Sequence, residues 1–154
     1  MSDPILIIDA EPDAESQQAP VKPGSPADIL ARTLWGEARG EPVRGIEAVA
    51  AVVMNRVRHG GWWGDTVETV CKKPMQFSCW NPDDPNRAKL ERVDDSDRVF
   101  RICVRTAWRA IAGALDDPTN GATHYHVRGL YPLWARGRTP TTEIGNHVFY
   151  AGVE

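Results

Sequence analysis

The 154-residue chain has no apolar run near the ~20 residues that span a bilayer, so no membrane insertion is expected. Its first residues, MSDPILIIDAEPDAESQQ, lack a basic segment, and their apolar run is only Ile5–Ile8; a secretory signal peptide is not expected. Cysteine is scarce. Cys71, Cys79 and Cys103 are an odd count without CxxC spacing, which excludes a disulfide framework and a zinc ribbon. Cys71 and Cys79 are close enough in sequence for one bridge, and Cys103 fits a small core position. A glycine-rich phosphate loop, a GxSxG elbow and a convincing Cys–His pair are all missing. So is the basic stripe that nucleic-acid binding needs.

What is present is an ordinary globular composition, 42% hydrophobic and 25% charged, of a length that suits one domain. The charge is uneven. Residues 1–30 hold six carboxylates (Asp3, Asp9, Glu11, Asp13, Glu15 and Asp28) against Lys22 alone. The remaining 17 basic and 15 acidic residues leave the body slightly cationic. Residues 1–25, with four prolines and few large apolar groups, read as an acidic flexible tail in which Ile5–Ile8 could dock as an edge strand. The domain is expected over 26–154.

Ser25-Pro26-Ala27-Asp28 is a helix start: a capping hydroxyl, then proline at the first helical position. Ile29, Leu30, Leu34 and Trp35 carry the helix to Ala38, with Gly40 as its stop. Glu41-Pro42 opens a second helix through Arg58; its AVAAVVM centre, Ala48–Met54, is apolar all round and predicts burial. Asp65 caps a short helix to Val70, and residues 73–95 read as one long loop. A third long helix is expected over 96–115, with Trp108 in the core. Thr123–Val127 and His147–Ala151 alternate as two strands. The fold class is therefore α+β, about three main helices and a short antiparallel sheet near the C-terminus.

Glu37 stands at the end of the first helix, before a glycine turn. The helix terminus and any burial beside Trp35 both favour the protonated form that a general acid needs. The structural alternative is a surface Glu paired with Arg39 or Arg44. Glu41 reads as a helix-start carboxylate and Glu47 as structural. His124, His126 and His147, with Glu37, have the composition of a catalytic zinc site; the alternative is that each histidine bonds a carbonyl or a carboxylate. Of the six tryptophans, Trp80 and Trp134 fall in loops, where they serve as sugar platforms or packing lids.

Five strings occur in order: EARGEP (Glu37–Pro42), GIEAVAAVVMNRV (Gly45–Val57), QFSC (Gln76–Cys79), GATHYH (Gly121–His126) and IGNHVFY (Ile144–Tyr150). Together they resemble the SleB/CwlJ family of bacterial cell wall hydrolases over about residues 27–151. The resemblance implies a lysozyme-like transglycosylase domain acting on peptidoglycan glycan strands; separately, no cofactor and no metal are expected, and a monomer is. It implies that Glu37 is the catalytic acid. Phe77, Ser78, Tyr125, Trp134 and His147 fall on motif positions and would line the cleft, with Trp80 beside them; Asn55 and Arg56 would be structural. One carboxylate suffices for a lytic transglycosylase, whereas hydrolysis would draw a second from Asp83, Asp84, Asp94 or Asp95. The chain is expected to depart from the spore enzymes in carrying no signal peptide and no peptidoglycan-binding repeat, and it departs in its polar 80–95 loop and in Ile46 where many relatives carry Gln. The expectation is a phage-type endolysin made in the bacterial cytoplasm and released through a holin, or a wall-remodelling enzyme. Two readings from other classes stay open: a zinc amidase or peptidase using His124, His126 and His147, and a non-catalytic wall-binding module. The acidic stretch 83–97 could hold calcium, as in some relatives, but this is not predicted.

Overall fold

The computed structural model describes residues 20–153. The tail lies largely outside that span, including the edge strand expected at Ile5–Ile8. Helix α1 (Pro26–Ala38) starts as its sequence predicts: the Ser25 hydroxyl accepts the Asp28 amide and Pro26 takes the first position. Its end differs, because Arg39 is a right-handed cap and Gly40 is not called on for a left-handed one. Helix α2 (Val43–His59) is closed by Gly60. Helix α3 (Val67–Lys72) is capped by Thr66, not Asp65, in a reciprocal box with Thr69.

The expected 73–95 loop contains a 3₁₀ turn, Ser78–Trp80, and a two-turn helix, α4 (Pro85–Arg92). Its start repeats the logic of α1, with the Asp84 carboxylate accepting the Asn86 amide before Pro85. Leu90 is its one buried residue, so no hydrophobic period announces it. Arg32 of α1 pins its end, donating to the Leu90 carbonyl and, at 2.9 Å, to that of Val93. Helix α5 (Arg98–Ile111) is capped by Asp97 and is shorter than expected at both ends. Trp108 does not join the core: it lies one residue past the buried Ala107, off the apolar stripe, and is 44% exposed.

Three strands follow, β1 (His124–Val127), β2 (Thr142–Ile144) and β3 (His147–Tyr150), in the order β1-β3-β2, antiparallel throughout. The strand β2 was not anticipated; it is three residues long and pairs Thr142, Glu143 and Ile144 with Phe149, Val148 and His147.

The layers meet at α2. Ile46, Val49, Ala50 and Val53 face the helical core with Leu30, Leu34, Phe100 and Cys103. Ala48 and Val52 face the sheet, against Ala122 and Phe149. This explains the apolar AVAAVVM centre: each buried valine is worth about 1.5–3 kcal/mol against exposure, and both faces of this helix are covered. On the far side of the sheet, Val148, Tyr150 and Ala135 form a smaller cluster under Trp134. Among the described residues, no helix is long and apolar enough to cross a membrane.

Candidate active site

Glu37 lies in the last turn of α1, at the junction of that helix, the 3₁₀ turn and β1. Its Oε1 accepts the Tyr125 hydroxyl at 2.7 Å. Its Oε2 accepts the Cys79 amide at 3.3 Å. The surface pairing with Arg39 does not form; Arg39 stacks on Trp35 and donates to Asn86 Oδ1 at 2.8 Å.

Each contact has a local cause. The 3₁₀ turn reaches Glu37 because residue 36 is glycine: a Cβ there would stand 2.8 Å from Cys79 Cβ and 3.1 Å from Leu90 Cδ2. Glycine costs about 1 kcal/mol inside a helix, and the close approach is what it secures. Tyr125 reaches Glu37 because the entry to β1 is tied to α2. Asn55 Nδ2 donates to the Ala122 carbonyl and to Asp117 Oδ2, both at 2.9 Å, and Arg56 Nε to the Thr123 carbonyl at 2.8 Å. The structural role expected of the Asn55–Arg56 pair is thus the placement of the tyrosine.

Register then decides which histidine joins. Tyr125 pairs with Phe149 and Val127 with His147, so Tyr125, Phe149 and His147 share the inner face. The His147 ring lies 4.8 Å from that of Tyr125. His124 and His126 alternate to the outer face with Tyr150. The three-histidine zinc site is therefore overturned by strand alternation, and no His/Cys/Asp/Glu cluster fit for a metal occurs among the described residues. His126 Nε2 instead meets the Tyr150 hydroxyl at 2.9 Å.

Burial, then the charge of Glu37, pushes the Tyr125 phenol well above its ordinary value, so it donates as a neutral hydroxyl. Burial holds His147 below its ordinary value against the pull of Glu41 and Glu37. Arg56 is buried and lowered to about 10, chiefly by that burial. Two buried polar atoms beside the site have no hydrogen-bond partner, Arg56 Nη1 and His147 Nδ1. Such orphans are costly and concentrate where a structure serves something besides stability.

Of the other expected cleft residues, Ser78 is exposed on the turn that presents the Cys79 amide. Phe77 cannot offer a sugar a face: it is 2% exposed, its ring beneath Arg56. Trp80 is not an open platform either. Its Nε1 donates to Thr33 Oγ1 at 2.9 Å, and Lys72 and Arg87 lie over its ring. Trp134 packs on the outer sheet face against His124, His126 and Tyr150. An apolar cavity of about 410 Å³ on that side, lined by His126, Val127, Leu130, Tyr131 and Pro132, contains none of the Glu37 group. The three cysteines are free and buried, so the Cys71–Cys79 bridge is not formed; burial pushes the Cys71 thiol to about 12.

Two residues of the site escaped sequence reading. One is Cys79, whose amide does the work and leaves no side-chain signal. The other is Glu41, read as a helix-start carboxylate. Its Oε1 accepts the Asn146 amide at 2.8 Å and its Oε2 the Asn146 side-chain amide at 3.1 Å, clasping the β2–β3 turn next to His147. Gly145 makes room, at φ +58°, where a Cβ would fall 2.2 Å from Glu41 Oε1. Of the loop aspartates weighed as a second carboxylate, Asp84 caps α4 and Asp94 accepts the Ser96 amide and hydroxyl.

A helical layer closed by a small antiparallel sheet is a fold shared with two solved catalytic domains. One is the catalytic domain of the germination-specific lytic transglycosylase SleB from Bacillus anthracis, at TM-score 0.65 and 28% identity over 84% of this chain and 99% of that one. The other is the catalytic domain of the Bacillus cereus SleB protein, at TM-score 0.64 and 29% identity over 86% and 97%. The chain belongs to the cell wall hydrolase family, whose model matches residues 40–150, a span that opens just after Glu37. The spore cortex-lytic enzyme of Halalkalibacterium halodurans is 31% identical over 150 residues, 90% of this chain and 41% of that protein. That of Bacillus subtilis is 30% identical over 124 residues, 79% and 36%. The chain thus spans less than half the length of these curated relatives.

Proposed function

We propose that this chain cleaves the glycan strands of peptidoglycan between N-acetylmuramic acid and N-acetylglucosamine, as a lytic transglycosylase with Glu37 as its single acid and base. The observation that carries the reading is the cradle of Glu37: one carboxyl oxygen on the Tyr125 hydroxyl, the other on the Cys79 amide. Among the described residues, no second carboxyl group bonds to either partner.

The chemistry follows from that geometry. Protonated Glu37 donates its proton to the glycosidic oxygen as the bond to muramic C1 breaks. The carboxylate left behind faces the oxocarbenium-like centre, and the Tyr125 hydroxyl keeps it aimed. It then takes the proton of the muramic C6 hydroxyl as that oxygen closes on C1. A 1,6-anhydro end forms, Glu37 is protonated again, and no water is consumed. Hydrolysis would need a second carboxylate placed for water or for C1. The inner-face His147 supports the tyrosine ring, and in this reading the exposed Ser78 would bond a sugar hydroxyl.

The test is mass spectrometry of soluble fragments from purified peptidoglycan. Wild type should release anhydro-muramic ends, unaffected by EDTA. Glu37→Gln should lower release by roughly 10³-fold, the scale of a lost general acid, with its fold intact by circular dichroism. Reducing muramic ends would replace transglycosylation with hydrolysis. Free stem peptides lost with EDTA would overturn glycan cleavage.

A further inference from the structure

The Gly60–Gly64 turn carries two tryptophans that the reading above leaves without a task. Trp63 faces inward. The Arg56 guanidinium lies 4.1 Å from its ring centroid and 5.0 Å from that of Phe77, so Arg56 is a wall shared with the Glu37 site. Trp62 faces outward. It packs against Trp63 at 4.9 Å, with 72° between the ring planes, and is 65% exposed.

The neighbouring segment is as unusual. The Lys73 ammonium stands over the Trp62 ring, 4.4 Å from its centroid, but Trp62 stays open to solvent, unlike Trp80, which is half-buried, hydrogen-bonded to Thr33 and overlain by two cations. Met75 is 84% exposed at φ +70°, a left-handed conformation rare outside glycine, in a turn closed by the Gln76 amide on the Lys73 carbonyl at 3.2 Å. Backbone held in that region costs of order 1–3 kcal/mol and gathers at ligand clamps. The same segment runs directly into Phe77–Cys79, whose last amide holds Glu37.

A protein partner is a poor match for this rim. Trp62 and Met75 are two side chains separated by a lysine, far from the ~800 Å² that each side of a stable interface buries. A pyranose ring is the right size. Its CH-rich face meets an aromatic face as a positive edge meets a negative π cloud, and the cation stands ready for a carboxylate on the sugar. We propose that Trp62, flanked by Lys73 and Met75, is a sugar-stacking subsite that continues the Glu37 cleft along the glycan. Lys73 would meet the carboxylate of the lactyl or stem-peptide substituent on the muramic residue seated there. The proposal rests on the glycan reading given above and names where the strand runs.

The experiment separates the two. Binding to insoluble peptidoglycan is measured by co-sedimentation in the Glu37→Gln background, where turnover is removed, and fragment release is measured with Glu37 intact. Trp62→Ala should weaken binding about tenfold, the scale of one aromatic stacking contact. It should raise the half-saturating peptidoglycan concentration to match and leave the maximal release rate within about twofold, since only uniform binding is lost. Trp62→Phe, which keeps a ring, should lie near the parent. Lys73→Gln should weaken binding to peptidoglycan but not to chitin oligosaccharides, which carry no carboxylate. Parent-like binding by Trp62→Ala would overturn the subsite even if fragment release proceeds. A wild type that releases no glycan fragments would overturn the glycan reading whatever Trp62 does.

Discussion

On the inner face of the sheet, the Tyr125 and His147 rings lie 4.8 Å apart and the tyrosine hydroxyl ends on Glu37. On the outer face, the His126 and Tyr150 rings lie 5.4 Å apart and the hydroxyl ends on the histidine itself. The same two residue types sit on the same two strands with their places exchanged, one position apart on β1 and three apart on β3. The outer pair satisfies itself and is roofed by Trp134, 5.2 Å from Tyr150. The inner pair is left with a hydroxyl to give away and a ring nitrogen, His147 Nδ1, without a partner. What distinguishes a site from a packing cluster here is what each face packs against: α2 and Glu37 on one side, a loop on the other.

The comparison can be broken by changing one face at a time. Trp134→Ala should have the largest effect on stability, about 2 kcal/mol, below the range for a fully buried tryptophan. Chemical denaturation would show it, and the rate per folded molecule should hold; a large fall in that rate would place Trp134 in the cleft after all. Tyr125→Phe should reach the rate as well as the stability. It removes one hydrogen bond to a carboxylate, worth about 1.5–3 kcal/mol, so the unfolding midpoint should fall and fragment release per folded molecule should drop roughly tenfold or more.

A subtler change acts through the turn. Glu41→Gln keeps the shape of the clasp on Asn146 but puts an amide NH₂ where one carboxylate oxygen accepts. It should cost about 1 kcal/mol and lower the maximal rate more than it raises the half-saturating concentration. Glu41→Asp, which keeps the charge, should restore part of the rate.

The most gradual effect is in pH. Burial, followed by the charges of Arg56 and Arg138, holds His124 at about 4, and burial lowers His147. Unfolded histidines take up protons near pH 6.5. Below that value the unfolded chain binds more protons than the folded one, so acid favours unfolding. The contribution is complete above about pH 6.5 and is lost as the pH falls toward 4. Urea midpoints across that range should decline, and His124→Phe should flatten the slope.

Much of this was legible in the residues. Ser25-Pro26 located the first helix, and the all-round apolar Ala48–Met54 stretch announced a helix covered on both faces. The motif strings placed Glu37 and Tyr125 in one site although 88 positions separate them. Other features had no local signature. Asp84-Pro85 carries the same start signal as Ser25-Pro26, but with a single buried residue α4 has no period to read. The three histidines looked like one ligand set because sequence gives residue types and spacing, not which strand lies opposite which. Trp80 and Trp134 read equally as platforms or packing lids because they fall in loops, whereas the most exposed tryptophan is Trp62.

The sequence by itself determined the helices other than α4 and the motif that carries Glu37, because capping, proline placement and apolar period act within a few residues of where they are written. Tertiary structure alone decided which groups hold that carboxyl. A backbone amide at Cys79, admitted by the missing side chain of Gly36, and a hydroxyl from a strand anchored through Asn55 and Arg56 converge on Glu37 only when distant segments pack. Such convergence depends on register and close approach, and neither is encoded at any single position.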